Sequence, residues 1–240
     1  MKKKLHSIIT RILNNFGYKI VRFYRLPVFT IDPFDLGVQL FLNNSVIKII
    51  QVGANDGITN DPVFKYINAN SKFHGVLVEP FPPIFKTLVK NYNNSSSDLK
   101  FLNAAVSDFD GKINLFISEN ANINSDHQKS SVMPYHIQKH CHGAGSNTLA
   151  VPCYTIKSIV NMFNIINIDI LLIDAEGHDW TILNSAFSDG IHPSMIMLEV
   201  IHLSRADKLK MREHLDQLDY LYFETNKDLL ALKREILRIK

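Results

Sequence analysis

A chain of 240 residues with 46% hydrophobic content can bury one substantial core, and a single α/β domain is ordinary at this length. Its formal net charge of +3 is small, and the lysines are dispersed except at residues 2–4. With no basic stripe, a nucleic-acid partner is not expected.

Two cysteines, Cys141 and Cys153, occur without a Cys-x-x-Cys partner. They argue against a disulfide framework and a structural zinc site and suit a reducing cytoplasm. No apolar run approaches the ~20 residues that a membrane span needs. The opening "MKKKLHSIITRILNNFGYKI" has neither an uninterrupted apolar core nor a small-residue cleavage site, so no signal peptide is expected.

Residues 1–45 read as a helical extension. Leu5, Ile8, Ile9, Ile12, Leu13 and Phe16 recur at helical spacing among Lys2, Lys3, Lys4, Arg11 and Lys19, which describes an amphipathic basic helix. Such a helix covers an edge of its own domain, or it makes peripheral contact with an anionic inner-membrane face through residues 2–19. Its modest apolar face favours the first role.

From residue 46 to 240, short apolar runs alternate with helical patterns. The runs are "VIKIIQV" (46–52), "GVLVE" (75–79), "LKFLNAAV" (99–106), "IDILLID" (168–174) and "SMIMLEV" (194–200), apolar on both faces as central parallel strands are. Helix candidates lie between them near 62–69, 83–92, 155–164 and 178–187. Pro62 and the Pro82-Pro83 pair stand where a first helical turn tolerates proline. The order predicts a doubly wound α/β sheet. A helix near 205–217 and the runs "YLYFE" (220–224) and "LLALKR" (229–234) follow; strands this close pair as an antiparallel hairpin.

Residues 107–150 resist the scheme. "SDFDGKINLFI" looks like a small hairpin around Asp110-Gly111, and the polar stretch after it reads as a lid insertion that brings Ser130 and Ser131 near an acceptor. "YHIQKHCH" places His136 and His140 at i and i+4, with Cys141 and His142 adjacent. No acidic or well-placed third ligand accompanies them, so a surface or lid role is preferred and no metal is expected.

Ligands of open parallel sheets gather at the carboxyl ends of the strands. The first strand ends in "VGANDG", whose Gly53 and Gly57 permit close backbone approach. Glu79 closes the second strand 22 residues after Gly57, near the ~20-residue offset at which an acidic side chain takes a ribose diol. A dinucleotide fold would present G-x-G-x-x-G. Here Asp56 stands where a phosphate would be repelled, and a cationic group suits the turn better. That favours S-adenosylmethionine over NAD and leaves a dinucleotide oxidoreductase as the weaker alternative.

"VGANDG", "GVLVEPFPPIFKTLVKNY", "NAAVSDFDG", "IDILLIDAEGHDWTILNSA" and "MIMLEV" resemble the successive blocks of the FkbM-type methyltransferases, over about residues 46–201. The resemblance implies a class I, Rossmann-like fold: a mostly parallel seven-stranded sheet with an antiparallel C-terminal hairpin strand. It implies S-adenosylmethionine as cofactor and O-methyl transfer. Gly53, Asn55, Asp56 and Gly57 would wrap the methionine part and Glu79 would bind the ribose. Pro80 and Phe81 would follow at the adenine edge, and Asn103, Ala105 and Asp108 are candidates for completing the adenine pocket. Gln51 departs from the family pattern, where an acidic residue is frequent.

The block "IDAEGHD" gathers Asp174, Glu176, His178 and Asp179 after a buried strand. Glu176 and Asp179 also suit the cap of the following helix, a role favoured for Asp179. An acceptor alcohol must lose its proton. The candidate bases at strand ends are Asp174, then His178, with Glu199 and His202 behind; Asp174 is also a candidate cofactor contact. The expected activity is methylation of a hydroxyl on a sugar, glycan precursor or secondary metabolite. The alternative from another class is a non-catalytic cofactor-binding module recruited by the basic helix.

Overall fold

The computed structural model describes residues 32–118, 130–132 and 146–237. The basic helix expected over 2–19 and the residues His136, His140, Cys141 and His142 lie outside them. The compact unit that contains the site begins at Asp32. Its first helix, α1 (Pro33–Gln39), is capped by the Asp32 carboxylate, which accepts from Phe34 N at 2.9 Å. Phe34 and Val38 of α1 are fully buried, so this part of the expected extension packs into the domain core.

The strands fall where apolar residues occupy both faces. They are β1 (Ile47–Val52), β2 (Phe73–Val78), β3 (Asp98–Leu102), β8 (Ile170–Ile173) and β9 (Met195–Glu199), all parallel. The C-terminal strands β10 (Tyr220–Glu224) and β11 (Asp228–Lys233) are antiparallel to each other, and β11 inserts beside β9. The resulting order is β10-β11-β9-β8-β1-β2-β3, the expected seven-stranded class I arrangement. Chain direction from β1 leads outward through β2 to β3, and β8 then returns to the other side of β1. Ligand crevices form at such a reversal.

Side-chain alternation divides the core between the two faces of the sheet. Ile50, Val52, Val76, Leu171 and Ile196 pack with α4 (Ile156–Phe163), α5 (Asp179–Ser188) and α6 (Arg205–Gln217). Ile47, Ile49, Leu77, Ile170 and Met195 pack with α1, α2 (Phe64–Ala69) and α3 (Pro82–Asn91). Asp61 caps the start of α2 by accepting from Val63 N and Phe64 N, and Thr155 and Ser204 cap α4 and α6. These polar side chains satisfy N–H groups that a helix start leaves unpaired.

The run at 99–106 does not form one strand. It leaves the main sheet after Leu102, and β4 (Ala105–Val106) joins a second sheet in the order β4-β7-β5-β6. There β5 (Gly111–Ser118) pairs antiparallel with β7 (Ser146–Tyr154), and β4 pairs parallel with β7 from the other side. The hairpin expected around Asp110-Gly111 is therefore absent: its two arms flank β7 instead of each other. The turn signal was local, whereas the partner strand lies 35 or more residues further on. The short β6 (Ser130–Ser131) pairs with β5. Among the described residues no helix is long and apolar enough to cross a membrane.

Candidate active site

Strand register builds the site. Val52 lies between Val78 and Ile173, and Ile173 is paired with Leu198. The residues one step further, Glu79, Gly53, Asp174 and Glu199, therefore form a single rank across β2, β1, β8 and β9. Asp228 on β11 is opposite Glu199. Gly53 sits at φ +73°, and a Cβ on it would lie 1.9 Å from the Asp174 carbonyl oxygen. Only glycine lets the chain turn this close to the neighbouring strand.

Above the rank is a cavity of about 340 Å³, within the range of small-molecule sites. Of the residues expected to hold cofactor, Gly53, Asn55, Glu79, Pro80, Ala105 and Asp174 line it. Asp56, Gly57, Phe81, Asn103 and Asp108 do not stand on its wall. Asp56 is turned into its own loop: Oδ1 accepts from Ile58 N at 2.9 Å and Thr59 N at 2.7 Å, and Oδ2 from Thr59 Oγ1 at 2.7 Å. Gly57 packs towards Leu88 and Tyr92 of the α3 region. Asn103 Nδ2 donates to the carbonyls of Glu79 and Pro80 at 2.8 and 3.1 Å, which ties it to the chain that follows β2. Phe81 belongs to a small cluster with Ala105, Leu115 and Val151 under that loop.

Glu79 is the buried carboxylate of the β2 end. Oε2 accepts from Asn55 N at 3.1 Å and Oε1 from Phe81 N at 2.8 Å. Burial pushes its carboxyl up to about 7, opposed by these two backbone donors. Each oxygen keeps acceptor capacity beyond its one backbone bond.

At the β8–β9 end the candidate bases separate. Asp174 is exposed on the cavity wall. Loss of bulk solvent, and after it the charges of Glu199 and Glu176, push its carboxyl up to about 7. Glu199 is buried and shifted upward by burial first and by Glu176 second. His202 Nε2 is 3.3 Å from Glu199 Oε2 and 3.6 Å from Glu176 Oε2. His178 points elsewhere: its Nε2 is 2.8 Å from Ser107 Oγ, whose hydroxyl donates to Asp108 Oδ1 at 3.0 Å. Burial holds the His178 imidazole below its usual range.

Asp179 accepts from Ala175 N and Gly177 N at 3.3 and 3.1 Å, so it organises the loop before α5; the helix begins at Asp179 itself with His178 at its N-cap position, so the side chain does not make the expected cap. Glu176 is different. It adopts φ +51° and lines the cavity.

Several lining residues carry no local sequence signal. Gln51 donates through Nε2 to Asp61 Oδ2 at 3.0 Å, and both line the cavity. Gln51 thus binds a carboxylate where the family pattern would place one. Ser131 and Val132 arrive from the second sheet, and Lys227 and Asp228 from the C-terminal hairpin. Ser131 is one of the two serines expected near an acceptor, whereas Leu115 lies in the run expected to form a hairpin arm. Lys227 and Asp228 could be placed only by knowing that β11 lies beside β9.

A seven-stranded sheet of this order, with a glycine turn after β1 and an acidic residue ending β2, defines a class I methyltransferase fold. The methyltransferase FkbM domain matches residues 51–222, and the chain belongs to that family. Its cofactor is S-adenosylmethionine. No curated protein matches the chain by sequence. Similar solved structures include human methyltransferase 10 domain containing protein, with 12% identity, 96% of each chain covered and a TM-score of 0.45. Precorrin-6y C5,15-methyltransferase from Geobacter metallireducens has 8% identity, covers 88% of this chain and 93% of its own, and gives a TM-score of 0.44. An S-adenosylmethionine-dependent O-methyltransferase from Thermotoga maritima has 10% identity, covers 92% and 69%, and gives a TM-score of 0.41.

The residues present fit the cofactor. Glu79 offers carboxylate oxygens to a diol, Gly53 leaves backbone exposed at the strand end, and Ala105 narrows the wall without polar atoms. The carboxylates of the β8–β9 end suit a positively charged group.

Proposed function

We propose that the protein transfers a methyl group from S-adenosylmethionine to a hydroxyl oxygen of a sugar, glycan precursor or secondary metabolite. The observation that carries this reading is Asp174: a carboxylate open to the cavity, beside Gly53, with its proton affinity raised to about 7. A base of that strength is half ionised near neutral pH, the range in which proton removal from an alcohol is most effective.

When bound, the cofactor supplies a methyl group already activated by its positive sulfur, so alignment is the protein's main task. Glu79 would hold the ribose hydroxyls, with Asn55 N and Phe81 N fixing the carboxylate plane. Gly53 and Asn55 would border the methionine part, and Pro80 and Ala105 the adenine. Asp174 would accept the acceptor's proton at a carboxylate oxygen. Leu115, Ser131 and Val132 close the side of the cavity towards the second sheet, and they support a lid role for this insertion in choosing the acceptor.

Two measurements test the reading. Calorimetry is expected to show S-adenosylhomocysteine binding in the micromolar range; no binding of either it or S-adenosylmethionine would sink the cofactor assignment. Methyl-labelled S-adenosylmethionine, offered with panels of free sugars, nucleotide sugars and polyketide alcohols, is expected to give a labelled methyl ether. Label found only on amines in parallel panels would overturn O-methyl transfer.

A further inference from the structure

The carboxylates at the β8–β9 end are more than the proposed reaction uses. Asp174, Glu176, Glu199 and Asp228 all border the cavity, with Lys227 as the cationic side chain on the same wall. Like charges so placed repel, and a site of this kind gains stability from a bound cation.

We propose that Glu176, Glu199 and His202 bind one divalent first-row cation at this end of the cavity. One donor atom from each lies within 4.8 Å of the others. Donors about 2.0–2.4 Å from a common ion can be separated by at most about 4–5 Å, so one ion can reach all three with small side-chain adjustments.

A second observation concerns Glu199 alone. It is only 8% exposed, it lines the cavity, and its Oε2 makes no hydrogen bond although His202 Nε2 approaches to 3.3 Å. A buried carboxylate oxygen left in this way is costly unless something occupies it. Lys227 Nζ stands 3.4 Å from the other oxygen, Oε1, so the lysine and an ion would not compete for the same atom.

The donor types narrow the ligand. One imidazole nitrogen with two carboxylates suits Mn²⁺, Fe²⁺ or Zn²⁺ better than Mg²⁺ or Ca²⁺, which prefer oxygen throughout. A sulfonium is held by charge and needs only the carboxylates of this end, whereas the His202 imidazole adds a lone-pair donor of the kind a metal ion uses. An ion here would leave coordination positions open towards the cavity. An acceptor hydroxyl reaching one of them would lose its proton to Asp174 more readily. That role rests on the methyl-transfer reading; the binding site does not.

Mn²⁺ titration of the full chain, freed of metal with EDTA and followed by the electron paramagnetic resonance of free Mn²⁺, tests the site. One Mn²⁺ per chain is expected, displaced by Zn²⁺. His202→Ala and Glu199→Gln are expected to weaken Mn²⁺ binding at least about tenfold. If Glu199→Gln does not fold, His202→Ala decides. Wild-type protein that binds neither Mn²⁺ nor Zn²⁺ at millimolar metal overturns the proposal, as do variants that bind like wild type. Calorimetry with S-adenosylhomocysteine on the same sample separates the two readings. Cofactor product bound without Mn²⁺ removes only the metal site, and Mn²⁺ bound without cofactor product removes only the methyltransferase reading.

Discussion

The two ends of the cavity hold their carboxylates in opposite ways. At the β2 end Glu79 is buried, but each oxygen receives a backbone N–H, from Asn55 and from Phe81. At the β8–β9 end Asp174, Glu176 and Glu199 face one another, and the pKa values of Asp174 and Glu199 rise partly through that mutual repulsion. The first end offers acceptor oxygens in fixed geometry, which on the proposed reading would take the ribose hydroxyls. The second gathers negative charge, and that reading places the proton transfer there. Backbone donors cost no reorganisation when a ligand arrives, whereas clustered charges change state as it does.

The strongest way to break the comparison is Asp174→Asn. Once the hydroxyl panel has identified an acceptor, the initial rate of labelled methyl transfer is expected to fall by about 10²- to 10⁴-fold, the usual worth of a positioned base. A loss below about tenfold would remove Asp174 as the base. His178 is not a ready substitute, because its Nε2 is engaged with Ser107.

The next largest effect belongs to the other end. Glu79→Ala leaves the N–H groups of Asn55 and Phe81 without their acceptor and removes the carboxylate from the cavity wall. Hydrogen bonds to a charged group contribute about 1.5–3 kcal/mol. S-adenosylhomocysteine affinity is therefore expected to fall about 10- to 100-fold by calorimetry, and an unchanged affinity would end the ribose assignment.

Glu79 also sets a pH dependence. Its carboxyl titrates near 7 in the fold and near 4.5 when unfolded, so the folded protein binds the proton more tightly. The associated stability is fully present below about pH 4.5 and is lost as pH rises through about 7. On ligand-free protein kept in EDTA, denaturant titrations between pH 5 and 8 should show this decline, on the order of 1–3 kcal/mol for the site. Glu79→Gln should reduce the slope without abolishing it, because the Asp174 carboxyl is also pushed up to about 7. Cofactor product whose ribose hydroxyls donate to the ionised carboxylate should oppose the decline by binding better above pH 7, and a wild-type slope retained in Glu79→Gln would assign the titration to Asp174 instead.

The strands and helices of the main sheet were legible because each is long enough to show its period. "IKIIQV" is buried on both faces, and Pro82 begins α3 as proline can. The rank Glu79, Gly53, Asp174, Glu199 was legible as well, since each member ends or directly follows an apolar run. Three things were not. The second sheet joins β4, β5 and β7 across distant chain segments, and pairing of that kind leaves no local period. Lys227 and Asp228 look like ordinary hairpin residues until β11 is placed beside β9. Glu176 reads as a helix cap, and only its positive φ and its place on the cavity wall separate it from Asp179.

Asp56 gives the smallest and most discriminating test. In the sequence it stands in the glycine turn, as a partner for a cationic ligand would. In the fold it accepts from Ile58 N, Thr59 N and Thr59 Oγ1, the work of a side chain that holds a turn together. Asp56→Ala is therefore expected to destabilise the protein by about 1–2 kcal/mol, seen as a lower denaturation midpoint with an unchanged slope. Cofactor-product affinity should change by less than about threefold, because Gly53, Asn55 and Glu79 form that wall without it. A tenfold loss of affinity at unchanged stability would return Asp56 to the ligand. The negative charge that favours a sulfonium would then belong to both ends of the cavity instead of to the β8–β9 end alone.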